Sequence, residues 1–229
     1  MAGNIVEKID DAVKIRTVLV SVSDKSGLEG LVSGLVEINP QVRVFSTGGT
    51  FNRIREILGE RWKNNLETVS SYTGQPETQG GLVKTLDFKI YLGLLTETYN
   101  KAHQDDLRRT GAVPIDLVVC NLYPFEQTVA KENVTTEEAR ANIDIGGPTM
   151  IRAAAKNYPR TAVLTQPSDY DAFISQIRQT GGGLILTQRF LFAQKAFAHT
   201  AAYDKAISGY LKKCDSEKLG SLYSFAPSE

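Results

Sequence analysis

Apolar positions along the chain fall into two rhythms. Residues 17–22 (TVLVSV) form a near-continuous β-branched and apolar run, the pattern of a strand buried on both faces. After the polar turn 23–27, Leu28, Leu31, Val32, Leu35 and Val36 recur at helical spacing. A second strand over 42–45 leads through Ser46-Thr47-Gly48-Gly49-Thr50 into a helix with Phe51, Ile54 and Leu58 on one face. Further strands are predicted over 66–69, 115–120 and 161–165. Ser168 is placed to cap a helix carrying Phe173, Ile174 and Ile177, and Thr135 with Glu138 fits a capping box. Strands alternating with helices predict an α/β fold with a mostly parallel sheet. Residues 72–100 carry the weakest pattern and are expected to be loops with one strand over 91–95.

The domain plan follows. Residues 1–14 are polar and expected to be flexible, 15–180 form the α/β domain, and Gly181-Gly182-Gly183 reads as a linker. Residues 184–215 form a helical extension, with one long helix or two shorter ones over 187–213. Its aromatic residues are expected to pack on the domain or on a second subunit.

Composition narrows the function. The 229 residues carry 26 Lys+Arg against 26 Asp+Glu, so the net charge gives no reason to expect a nucleic acid or a membrane surface as partner. Cys120 and Cys214 match no metal spacing, and His103 and His199 are the only histidines, so no metal site is expected. Cys120 ends an apolar run and reads as a core thiol. No apolar run reaches the roughly 18 residues of a membrane span, and the N-terminus lacks the apolar stretch of a signal peptide, so a reduced, cytoplasmic protein is expected.

Ligands of open α/β sheets bind beyond the carboxyl ends of the strands, and several polar segments fall there. Ser21, Ser23 and Lys25 lie in the first, and Ser46, Thr47, Gly48, Gly49 and Thr50 in the second. Close backbone approach at glycine, hydroxyl donors, a helix N-terminus and a lysine make a phosphate cradle. Ordinary turns with Ser and Thr caps would show the same residues. Neither segment is a Walker loop or a dinucleotide fingerprint. The third segment, Gly80-Gly81-Leu82-Val83-Lys84-Thr85, offers a cation in Lys84, and the fourth, Asn121-Leu122-Tyr123, directly follows a strand. The fifth places Asp144, Ile145 and Gly146 just before a helix that has Pro148 in its first turn. Lys156 lies two turns on, roughly 12 Å along the axis, and spacing alone does not pair it with Asp144.

Taken together, the runs SVSDKSG, STGGT, SYTGQPE, GGLVKTL, PIDLVVCNLYPF, NIDIGGPTMIRAAAKN and KAFAHTAAYDKAIS resemble the inosine monophosphate (IMP) cyclohydrolase family, in that order and over about residues 16–213. The resemblance implies a methylglyoxal-synthase-like α/β fold. The implied reaction is dehydrating ring closure of a 5-formamidoimidazole-4-carboxamide ribonucleotide (FAICAR) to IMP, with no cofactor. It also implies a homodimer and a formyltransferase, fused or separate, that supplies the substrate.

By position, the resemblance gives the 5′-phosphate and ribose to Ser21, Ser23, Lys25, Ser46, Thr47, Gly48, Gly49 and Thr50. It gives the base to Thr85, Asn121, Leu122, Ile145 and Gly146. Lys84 would face the formyl oxygen, Asp144 would accept from the carboxamide, and Tyr123 and Lys156 would complete a proton network. Leu82 stands where the family has Arg, Asp87-Phe88 where it has His-Pro, and the stretch between Leu58 and Leu66 is longer than usual. Asp87 is close enough in sequence to pair with Lys84. A nucleotide-binding regulatory module on the same fold is the alternative that this altered segment supports. Methylglyoxal synthase itself would leave NLYPF and RAAAKN without a role.

Overall fold

The computed structural model describes residues 5–76 and 84–226. Gly80, Gly81, Leu82 and Val83, and with them the Arg-to-Leu departure, lie outside the described residues.

In chain order the first elements are β1 (Ala12–Lys14), β2 (Thr17–Val22), α1 (Leu28–Ile38), β3 (Arg43–Ser46), α2 (Gly48–Leu58), α3 (Trp62–Asn65), β4 (Leu66–Thr68) and α4 (Val69–Thr73). Then come α5 (Phe88–Leu95), α6 (Lys101–Thr110), β5 (Leu117–Asn121), α7 (Phe125–Val129), α8 (Thr136–Ala141) and α9 (Gly146–Lys156). The chain continues through β6 (Ala162–Leu164), α10 (Tyr170–Gln179), β7 (Gly183–Ile185) and α11 (Leu186–Leu211).

Five parallel strands form one sheet in the order β4-β3-β2-β5-β6. Alternation along the strands sends Val18, Val20, Leu117 and Val119 to one face, with apolar residues of α1 and α10. Leu19, Val118 and Cys120 go to the other face, with residues of α5, α9 and α11. Both faces are covered, which is why the strands read as continuous apolar runs rather than alternating ones. Cys120 is a core thiol, and its burial pushes its pKa up.

At the amino ends of the strands the packing is closed by charge. The buried Arg160 guanidinium meets the Asp116 carboxylate at 3.2 Å and donates to the carbonyls of Gly93, Ile115 and Thr96. Asp116 in turn accepts from the N–H groups of Arg16 and Thr17.

Several expectations change. Residues 91–95 belong to helix α5, not to a strand. Asp87 caps that helix, accepting from the Lys89 N–H at 2.7 Å, and a short apolar run has no periodicity to distinguish the two states. Residues 12–14, expected to be flexible, pair antiparallel with β7. The buried Arg189 secures them by donating to the carbonyls of Asp10 and Asp11. The glycine triplet is a turn into β7, with Gly181 and Gly182 at positive φ (62° and 94°), rather than a free linker. Ser168 lies in a 3-10 turn (Pro167–Asp169), and α10 starts after Asp169 with no side-chain cap. The extra length after Leu58 forms a 3-10 turn and α3, which packs Trp62 edge-on against Phe51. The Thr135–Glu138 capping box is present, and α11 is a single helix of 26 residues.

Candidate active site

The sheet reverses direction at β2: β3 and β4 are added on one side, β5 and β6 on the other. Ligands of such sheets bind at that switch point. A cavity of about 410 Å³ opens there. It draws on the ends of β2, β3 and β5 and on the start of α9.

One end of the cavity is built for an anion. Helix α2 begins at Gly48, its first turn holds no acidic residue, and its N-terminus faces the cavity. Free N–H groups and the helix dipole favour negative charge at that end. Two lysines approach it from other loops. A β-carbon on Gly48 would lie 3.6 Å from Lys84 Nζ, and one on Gly49 would lie 4.0 Å from Lys25 Cε. Gly48 also has φ 49°, a left-handed conformation that glycine adopts without strain.

The hydroxyls of this end divide between lining and holding. Ser21, Ser23, Thr47 and Thr50 line the cavity. The Thr50 hydroxyl donates to the Val22 carbonyl at 3.0 Å, tying α2 to β2. Ser46 is fully buried, donates to the Val20 carbonyl at 2.8 Å and does not line the cavity. Asn121 both lines the cavity and holds a wall. Its Oδ1 accepts from the N–H groups of Ser23 and Asp24, and its Nδ2 donates to the Asp24 carbonyl.

Another part of the wall is acidic and partly apolar. Asp144 Oδ1 accepts from the Gly147 N–H at 2.9 Å, and the Asp144 N–H donates to the Tyr203 hydroxyl at 2.9 Å. Burial raises the Asp144 pKa above the ordinary carboxylate value, while the N–H groups of Gly147 and Gly146 pull it down. The turn is tight: a β-carbon on Gly147 would come within 2.6 Å of Leu122 Cδ2, and one on Gly146 within 2.8 Å of Thr85 Oγ1. Leu122 is therefore buried packing rather than lining. Tyr123 and Ile145 are exposed at the rim.

Lys84, Thr85, Asn121, Tyr123, Asp144, Ile145 and Gly146 are thus brought together with the phosphate-type loops. Lys156 is not. It is exposed at the last position of α9, a helix about 16 Å long at about 1.5 Å per residue, and is absent from the cavity wall. Asp87 does not pair with Lys84, because its carboxylate caps α5; among the described residues Lys84 makes no ion pair.

Sequence reasoning missed Val22, Leu86, Ala141, Ile143, Gly147 and Met150 as lining residues. Met150 follows Gly146 by four positions on α9, so helical spacing contained its signal. Tyr203 is missed for a different reason: 59 residues separate it from Asp144. Among the described residues no cluster of His, Cys, Asp and Glu is arranged for a metal, and no helix is long and apolar enough to cross a membrane.

Comparison with known proteins agrees with this geometry. The model of the MGS-like domain matches residues 27–149, and that of the AICARFT/IMPCHase bienzyme matches residues 154–227. The bifunctional purine biosynthesis protein PurH of Thermoanaerobacter sp. is 47% identical over 208 residues, which is 91% of this chain and 39% of that protein. PurH of Sorangium cellulosum is 47% identical over 207 residues, 89% of this chain and 37% of that protein. This chain therefore spans less than two fifths of these relatives' length. The crystal structure of ForH superposes with a TM-score of 0.70 at 31% identity, covering 84% of this chain and 97% of that one. With the family model matching more than half of its length, and with the parallel sheet and the cavity at its switch point, this chain belongs to the MGS-like domain family.

Proposed function

We propose that this chain is an IMP cyclohydrolase acting in purine biosynthesis, closing FAICAR to IMP and water. The observation that carries the reading is the polarity of one cavity. Lys25, Lys84 and the α2 N-terminus bring positive charge to it, the half-buried carboxylate of Asp144 brings negative charge, and Tyr123 stands at the rim. A nucleotide that is anionic at its phosphate and rich in amide donors at its base is complementary to both charges. The relatives named as bifunctional purine biosynthesis proteins support it.

In the reaction the carboxamide nitrogen forms a bond to the formyl carbon. The nitrogen gives up a proton and the formyl oxygen gains negative charge. The resulting hydroxyl then takes up a proton and leaves as water, the former formamide N–H gives up its proton, and the ring becomes aromatic. No redox change occurs. Asp144 is the acceptor for the carboxamide proton, and its raised pKa brings it closer to the working pH of a general base. Lys84 donates to the formyl oxygen as charge develops. Tyr123, at the rim, returns a proton to the departing hydroxyl. Ser21, Ser23, Lys25, Thr47, Gly48, Gly49 and Thr50 hold the phosphate and ribose, and Thr85, Asn121, Ile145 and Gly146 hold the base. Holding the two reacting groups of one ring in contact supplies much of the acceleration. Lys156 has no role at the cavity in this scheme.

The same reading includes a homodimer. Phe190, Leu191 and Phe197 are exposed on α11, as is Leu211 at its end, and a second copy would cover them. It also includes a formyltransferase, fused or separate, as the source of FAICAR.

The test follows IMP formation from FAICAR by ultraviolet absorbance, with Lys84→Ala as control. Turnover that disappears in the variant is the expected result. A wild-type protein that binds IMP by calorimetry but does not turn over would replace this reading with a nucleotide-binding module.

A further inference from the structure

Tyr203 lies in the middle of α11, yet two loops that carry the proposed chemistry rest on it. Its phenol oxygen accepts the Asp144 N–H at 2.9 Å. Its ring packs edge-on against Phe125, with centroids 6.3 Å apart and planes at 73°. Phe125 is 1% exposed, and its N–H donates to the Tyr123 carbonyl at 2.8 Å. Tyr210, further along α11, packs edge-on against the same Phe125 at 5.8 Å. The Asp144 turn and the Tyr123 turn are therefore joined through one side chain of α11.

The two halves of Tyr203 do separate work. Packing on Phe125 needs only an aromatic ring, and a phenylalanine would supply it. The hydroxyl is directed at Asp144. Asp144 is then fixed at two points: its main-chain N–H by the Tyr203 hydroxyl, and its carboxylate Oδ1 by the Gly147 N–H, each at 2.9 Å. Tyr91 on α5 and Cys120 on β5 complete the titratable groups that sense it. The Tyr91 phenol is itself pushed up to about 12 by burial, so it stays protonated at neutral pH.

We infer that Tyr203 is a positioning residue for ring closure, holding the Asp144 carboxylate in line with the carboxamide while its ring docks the Tyr123 loop. The inference rests on the cyclohydrolase reading of the cavity. A proton acceptor that drifts by about an ångström loses rate far more than binding, so the effect belongs in kcat rather than in KM.

Steady-state kinetics on FAICAR test this with wild type, Tyr203→Phe, Asp144→Asn and the double variant. Tyr99→Phe serves as control, because it loses a hydroxyl bond of similar length, 2.7 Å to Asp10, with Tyr99 outside the cavity wall. Tyr203→Phe is expected to lower kcat about fivefold, the worth of one hydrogen bond, with KM changed less than about twofold. In the Asp144→Asn background the same change is expected to leave the residual rate unaltered, and Tyr99→Phe is expected to match wild type. An unchanged kcat in Tyr203→Phe overturns the inference, as does a full fivefold loss that persists without Asp144. A Tyr203→Phe protein with no melting transition also overturns it, because a role confined to Asp144 leaves the fold standing. A wild type that does not convert FAICAR instead fails the reading of the cavity, and the inference falls with it.

Discussion

The Asn121 side-chain carbonyl accepts from the Ser23 N–H at 2.7 Å and from the Asp24 N–H at 2.9 Å, so the end of β5 holds the loop that leaves β2. This loop carries Ser23 and Lys25 to the anion end of the cavity. Removing the amide leaves two N–H groups and the Asp24 carbonyl without their partner. We expect Asn121→Ala to raise KM for FAICAR about tenfold or more, with a smaller change in kcat, because the group it disorders binds phosphate rather than the reacting atoms. Equal losses in kcat and kcat/KM would show that its proposed contact with the base, rather than its hold on the Ser23 loop, carries the effect.

Lys25 and Lys84 approach adjacent glycines at the start of α2, but only Lys84 is proposed to meet the formyl oxygen. Lys25→Met is therefore expected to raise KM about tenfold while kcat stays within about threefold of wild type. Its KM should also depend less on salt than that of wild type, since one of the attracting charges is gone. A kinetic series from low to moderate ionic strength reads both effects.

Asp144 illustrates a conflict between stability and function. Its folded pKa is raised, by burial first, so the folded chain holds the carboxyl proton to higher pH than the unfolded chain does. The stability linked to this group is fully present below the unfolded value of 3.8 and is lost as pH rises through the folded value, leaving a penalty at neutral pH. Asp144→Asn removes the charge and keeps an oxygen to accept the Gly147 N–H. We expect its melting temperature at pH 7 to exceed that of wild type, by about 2–4 °C per kcal/mol relieved, while turnover falls to a small residual rate. The difference in melting temperature should shrink as pH is lowered toward 4. A variant less stable than wild type at pH 7 would show that the carboxylate is held by attraction the structure does not contain.

Arg189 has a purely architectural job. It is fully buried and donates to the carbonyls of Asp10, Asp11, Tyr158, Pro159 and Leu184. These bonds bring the segment before β1, the turn before β6 and the start of α11 together. Arg189→Met strands several carbonyls away from water, and we expect a loss of about 3 kcal/mol or more. Thermal unfolding checks this, and early proteolysis near residues 10–12 should accompany it.

The five-stranded parallel sheet was legible in the chain's local pattern. Runs such as TVLVSV and IDLVVC are nearly continuously apolar because both faces of a parallel strand are covered, and this is a local signal. The polar loops that line the cavity were equally legible as candidates, since glycines, hydroxyls and lysines at strand ends combine chemistries that a helix or strand interior would not carry. The short run 91–95 was not legible: it became a helix because Asp87 caps it and the Arg160 guanidinium and the Ile115 N–H both donate to the Gly93 carbonyl from afar. Lys156 shows the same limit from the other side, because two helical turns carry it to an exposed end rather than to the cavity. The pairing of Asp144 with Tyr203 was decided by tertiary structure alone. A hydrogen bond between groups 59 residues apart depends on how α11 packs across α9 and β6, and no local pattern records that packing.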